Sequence, residues 1–359
     1  MKTLKTNIVT AAMILLGMQN LFAQTGTFKE QRKAQVTFAY PIGSAGNSSM
    51  NYVNNFSFNV LYGMNGGVKG FELGSLWNHN NGDVKGFQLS GMLNTTTGNS
   101  RGLIISGLAN LNNEAVTGVS ISGLLNHSRQ SLRGLQLAGI ANIGQDSLRG
   151  VAISGILNLT KDFEGVQIGL VNQARKAKGV QIGLINISEE GKDLIPIGFI
   201  NAIKNSGYYE LDLSWGESIF SNLSFKMGVE RWFTILKIGY SVYQAKPVYS
   251  WGGGFGTSIM LSERQRLNIE VTSNKIIFDN YWVDDQSNGL NKLDLNYKYF
   301  IFKKLSVSIG PSFNAYVTSE KVDGEYGTIN IPYTLYEHET ADKKLSLWIG
   351  LNAGLSLRF

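Results

Sequence analysis

Gly118-Val119-Ser120-Ile121-Ser122-Gly123-Leu124-Leu125-Asn126 is the stretch whose reading decides the fold. Apolar and small residues alternate along it at period 2, and β-branched side chains are frequent, which predicts a strand. It is too short and too rich in glycine for a helix. The same phrase (Gly, apolar, any, apolar, small, Gly, apolar, any, Asn) recurs on both sides. Its closing residues are Asn78, Asn94, Asn110, Asn126, Asn142, Asn158, Asn172, Asn186 and Asn201, spaced by 16 residues five times and then by 14, 14 and 15. Its opening residues are Gly70, Gly86, Gly102, Gly118, Gly134, Gly150, Gly165 and Gly179, with Leu194 in the ninth copy. A fixed period of this kind marks a repeat architecture. The links carry turn chemistry, as in Asn80-Asn81-Gly82-Asp83 and Gly144-Gln145-Asp146-Ser147.

Two arrangements satisfy the repeat. In a β-solenoid each copy is one coil, equivalent residues stack, and the Asn anchors form a ladder of side-chain amides. In an antiparallel meander each copy is one more strand of a single large membrane barrel. The uniform link length and the scarcity of charge on either strand face favour the solenoid, because a wide aqueous barrel has unequal turns and a polar lumen. Against it, the links supply few inward apolar groups, among them Val116, Leu132, Leu148 and Phe163. The shorter corner at Gly169 and Gly183, against Ser122-Gly123, fits a solenoid corner or a β-bulge.

Working outward, residues 1–23 read as a signal peptide. Lys2 and Lys5 precede an apolar run over Ile8–Leu16, and a cut is expected after Ala23. The chain has no cysteine, so an exported form relies on no disulfide and no thiolate metal site. No later apolar run is long enough for a membrane helix, so an exported product is soluble or a β-barrel. Residues 24–64 hold two strand-like runs, around Val36-Thr37-Phe38 and Phe56-Ser57-Phe58. The repeats occupy 65–206.

From 207 to 359 alternation lengthens and aromatics become dense. In the last fifteen residues Leu345, Leu347, Ile349, Leu351, Ala353, Leu355, Leu357 and Phe359 oppose Ser346, Trp348, Gly350, Asn352, Gly354, Ser356 and Arg358. Length and apolar-out, polar-in alternation fit a transmembrane β-strand. Seven earlier strands are predicted near 208–216, 221–229, 233–243, 248–261, 266–277, 289–301 and 305–317. Short connections alternate with long ones, 278–288 and 318–344, as in barrels with short periplasmic turns and long external loops. With the two N-terminal strands the count is ten. The expected fold class is therefore all-β: an outer-membrane antiparallel β-barrel with an inserted solenoid-like array of 14–16-residue repeats. Repeats as extra strands of one meander barrel are the alternative.

Two copies, Gly165-Val166-Gln167-Ile168-Gly169-Leu170-Val171-Asn172 and Gly179-Val180-Gln181-Ile182-Gly183-Leu184-Ile185-Asn186, resemble the tandem surface-repeat proteins of Gram-negative bacteria. Those carry Gly-Val/Leu-Gln-Ile/Leu-Gly/Ala-Leu-x-Asn units, and many end in a barrel-like segment. The resemblance implies an outer-membrane or surface location and carries no catalytic residue with it.

Catalytic signals are weak. His79 and His127 follow repeat anchors and read as solvated turn residues, and His338 sits in the last long loop. Asp279, Trp282, Asp284 and Asp285 form a polar loop that a rim-located hydrolase would use, the least favoured reading. No Gly-x-Ser-x-Gly elbow and no phosphate loop is present. Inward charges are expected at Glu210, Asp212, Lys226, Lys237, Glu270, Asp294, Lys298 and Arg358; they suit either internal pairing or a narrow solute path. Outward Trp215, Trp251 and Tyr299 suit membrane-interface girdles. The net charge of +6 comes with no clustered basic stripe interleaved with aromatics, so nucleic acid is not an expected partner. The expectation is a non-enzymatic envelope protein, structural or binding, with outer-membrane lipid as its partner and no cofactor or metal. A small-solute channel is the alternative.

Overall fold

The computed structural model describes residues 29–191, 193–279 and 287–359. The expected signal peptide and Trp282, Asp284 and Asp285 lie outside the described residues. The chain divides into two compact units between Arg149 and Gly150.

In the first unit each 16-residue copy makes one coil. A seven-residue strand such as Val116–Ser122 runs to a bend at the Gly-Leu pair, a four-residue strand such as Leu125–Ser128 follows, and a polar turn leads onward. Copies pair in parallel and in register: Gly118 lies beside Gly102 and Gly134, and Asn126 beside Asn110 and Asn142. A meander would have paired neighbouring copies antiparallel, so the array is solenoid-like. The opening glycine is required where the backbone takes a positive φ against the preceding coil. Gly118 has φ +123°, and a Cβ there would stand 2.2 Å from the carbonyl oxygen of Gly102.

The two N-terminal strands belong to this array, which corrects the expectation that they complete the barrel. Glu30–Ala39 lies parallel to Tyr52–Asn65, and that strand pairs in parallel with Gly67–Gly74 and Trp77–Asn80. Alternating residues in a strand suit a coil wall as well as a barrel wall, so periodicity alone did not assign them. A short antiparallel segment, Ile42–Gly43, pairs with Thr37 and Ala39 of the first strand.

The second unit continues the repeat. In its shorter copies the polar turn is absent and the strands run on, as Leu157–Ile168 and Val171–Ile182. One of the two missing residues is lost from the link, and the other from the corner at Gly169, which is a bend between strands. Eight antiparallel strands then form a closed barrel: Tyr208–Gly216, Ser221–Val229, Trp232–Tyr243, Lys246–Met260, Gln265–Phe278, Asn288–Phe300, Leu305–Thr318 and Lys344–Arg358. Closure comes from the first strand pairing with the last, Glu210 opposite Arg358 and Trp215 opposite Ala353. The number is eight rather than the expected ten. Apolar side chains point out and polar ones in: Ile349, Leu351, Leu355 and Leu357 are exposed while Trp348, Asn352 and Ser356 are buried.

The barrel caps the last coil. Thr234 Oγ1 donates to the Gly198 carbonyl at 2.6 Å and accepts from Asn201 Nδ2 at 2.8 Å. The Tyr209 hydroxyl accepts from the Ile203 amide and donates to the Ile203 carbonyl, at 2.6 and 3.0 Å. An open coil end would otherwise present unpaired strand edges.

Candidate functional site

All nine Asn anchors are buried, and they form ladders of amides. Asn78 Nδ2 donates to Asn94 Oδ1, Asn94 to Asn110, Asn110 to Asn126 and Asn126 to Asn142, at 2.9–3.0 Å. In the second unit Asn158, Asn172, Asn186 and Asn201 continue the pattern at 2.8–3.0 Å. The same Nδ2 also donates to the carbonyl that ends the next coil's long strand, as Asn110 does to Ile121 and Asn172 to Ile182. Each amide thus stitches its own corner to the one stacked on it. Gly86, Gly102, Gly134, Gly150, Gly165 and Gly179 share the positive φ of Gly118, and all of these but Gly150 are seen to stand as close to the carbonyl of the preceding coil. Asn59 is a rung that the sequence pattern missed. It donates to Asn78 at 2.9 Å from a strand that lacks the Gly-to-Asn phrase.

Glu72 is the unexpected group. It occupies the coil position held by Gln88 in the next copy, and it is fully buried. Four amides close on its carboxylate: Asn59 and Asn65 donate to Oε1, and Asn80 and Gln88 to Oε2, at 2.6–3.2 Å. Desolvation dominates over these donors and pushes its pKa up to about 7. No rule of spacing singles out a glutamate at a position that faces inward; only the comparison with Gln88 one repeat later does so.

His79 and His127 are not solvated turn residues. Both lie in the short strands and are buried, and burial lowers each pKa to about 4, helped by the Lys29 charge for His79 and the Arg129 charge for His127. His79 Nδ1 is 2.8 Å from Thr95 Oγ1. Both rings are thus neutral over the physiological range. His338 is exposed on the strand Tyr336–Glu339. Asp279 pairs with Lys246 Nζ at 2.6 Å.

Inside the barrel the seven expected charges from Glu210 to Lys298 are buried, and Arg358 is partly buried at the rim. Lys226 Nζ lies 2.7 Å from Glu270, 3.4 Å from Glu210 and 3.7 Å from Asp212. Lys298 also pairs with Glu210. Lys292, absent from the sequence reading, donates to Asn352 at 3.0 Å and lies 3.8 Å from Asp294. Apolar clusters lie above and below this network. Tyr208, Phe233 and Ile235 stand at the end that receives the array; Val248, Ile276, Leu290, Tyr316 and Trp348 stand at the other. The space left among Asp212, Lys237, Glu270 and Asn352 is about 10 Å³.

Comparison with protein-family models, with curated proteins and with solved structures gives no match. What the molecule can do is therefore read from its own side chains. One large recess in the second unit is apolar. It is a groove of about 960 Å³ between the last coil corner, at Phe199, and the outer barrel wall at Leu223, Phe225, Ile238 and Trp251. Gly253 leaves the wall of that groove without a side chain. Such a shape accepts an alkyl chain and offers almost nothing to orient a polar substrate.

Proposed function

We propose that this is an exported outer-membrane protein whose barrel is a filled anchor and whose repeat array has a non-catalytic structural or binding role. The observation that carries the reading is the barrel cross-section. Large apolar side chains such as Leu351, Ile238, Val271 and Trp251 stand exposed around the outside. The inside is closed by paired charges between two apolar clusters. An eight-stranded barrel has an interior just wide enough for side chains to fill, and among the described residues paired charges and two apolar clusters occupy this one. An outer surface so apolar is costly in water and suits hydrocarbon. The N-terminal basic and apolar residues supply the export signal in the same reading. Planar-bilayer recording of the purified full chain is the test. The expectation is insertion without unitary conductance; reproducible conductance steps would replace the anchor reading with the channel alternative.

A further inference from the structure

The coils carry large apolar side chains on both faces. In the first unit the coil interior holds Gln88, Ser106, Ser120, Glu72 and the Asn ladder, all buried. Val84, Ile104, Val116 and Leu132 are buried with them, and further large apolar groups are on the outside. Leu76, Met92, Leu108, Leu124 and Ile140 stand on successive bends and form a ridge; all but the half-buried Leu108 are 41–46% exposed. Phe71 and Leu89 extend it onto the adjoining strand face. Contiguous apolar ridges of this kind mark contact surfaces rather than scattered exposure.

One flank of the ridge is cationic. Lys69, Lys85, Arg101 and Arg133 hold the same position in the coil, with Thr117 between the two arginines, and they stack in register. Neighbouring strands lie about 4.8 Å apart, and like charges directly opposite one another repel. Asp83, 3.9 Å from Lys85, offsets only part of this. A groove of about 360 Å³ opens among Lys85, Arg101 and Arg133, with Asn99 and Ser131 on its walls. Trp77 adds a half-buried indole on the outer face of the ridge, its Nε1 donating to Thr95. Apolar wedge, interfacial aromatic and a cation row at one depth reproduce the layering of acyl chain, interface and phosphate in a lipid leaflet.

We propose that the outer ridge of the array inserts into one leaflet of a membrane with anionic headgroups, the cation row sitting at the level of the phosphates. The array is then an interfacial wedge and not a rod displayed in solution. Two copies joined through the ridge would bring two cation rows into one interface, so lipid is the better occupant. The proposal rests on the membrane reading above, and the test separates the two.

The chain has no cysteine, so single sites can be labelled without background. Leu124→Cys on the ridge, Gln130→Cys in a polar link and Leu351→Cys on the outer barrel wall are labelled with an environment-sensitive fluorophore. Each full-length protein is reconstituted in phosphatidylglycerol-containing vesicles whose acyl chains carry bromine as a quencher. Insertion predicts about a twofold or greater loss of emission at positions 124 and 351 and little at 130, because a wedge reaches roughly 5–10 Å past the headgroups. Quenching at 351 without quenching at 124 overturns the wedge and leaves the barrel anchor standing. No quenching at either site removes the membrane reading and the wedge with it. A blue-shifted but unquenched label at 124 means that protein covers the ridge, which also overturns the proposal. Combining Lys85→Glu, Arg101→Glu and Arg133→Glu is expected to reduce quenching at 124 and not at 351; an unchanged signal at 124 removes the cation row from the mechanism.

Discussion

Glu72 makes the array's stability depend on pH. Below the usual carboxyl value of 4.5 it is protonated in the folded and the unfolded chain alike. As pH rises toward about 7, the unfolded chain releases its proton first, so folding becomes less favourable across that window. The full loss is about 3 kcal/mol at 1.36 kcal/mol per pH unit. Glu72→Gln, which installs the side chain found one repeat later at Gln88, is expected to abolish this slope and to raise stability at pH 8. Urea denaturation at pH 5 and pH 8 measures both effects; an unchanged slope in the variant would assign the pH dependence elsewhere. Asn110 is a rung with both faces used, since it accepts from Asn94 and donates to Asn126 and Ile121. Asn110→Ala strands those buried partners and is expected to cost about 3 kcal/mol in the same assay. The anchors were legible in the sequence because identical residues recur at a fixed interval. Glu72, His79 and His127 were not, because their burial depends on which way their strands face, and adjacent polar residues do not reveal that.

At the scale of elements the solenoid and the barrel meet through few polar bonds, with Thr234 at their centre. Thr234→Val keeps the shape and removes the hydroxyl that both Gly198 and Asn201 use. The expected result is faster hydrogen exchange over 194–203 and unchanged exchange in the strand Lys344–Arg358; equal protection in both proteins would show that apolar packing alone holds the cap. The eight barrel strands could be read within two residues because period 2 persists over ten or more positions in most of them. The N-terminal pair shows the limit of that signal. Strand periodicity reports a two-faced environment and is silent on whether the neighbour is parallel or antiparallel, and a coil wall offers the same two faces as a barrel wall.

At the scale of the whole molecule, the proposed location makes a sidedness prediction. The array's exit at 204–207 and the C-terminal Phe359 lie at one end of the barrel strands, and the long connection 319–343 lies at the other. In intact cells a membrane-impermeant maleimide is expected to label Asp323→Cys and to spare Asn205→Cys until the outer membrane is permeabilised. The reverse pattern would invert the orientation. The last consequence comes from the stacking register. Removing the 16 residues from Gly118 to Arg133 would bring Gly134 into the place of Gly118 and Asn142 into that of Asn126, with the ladder partners Asn110 and Gly102 unchanged. Duplication of the same segment lengthens the stack by one step without a new kind of contact. Copy number is thus a heritable dial. Unequal recombination between neighbouring repeats can vary the length of the apolar ridge from one lineage to the next, while the start of the array and the barrel that ends it stay as they are.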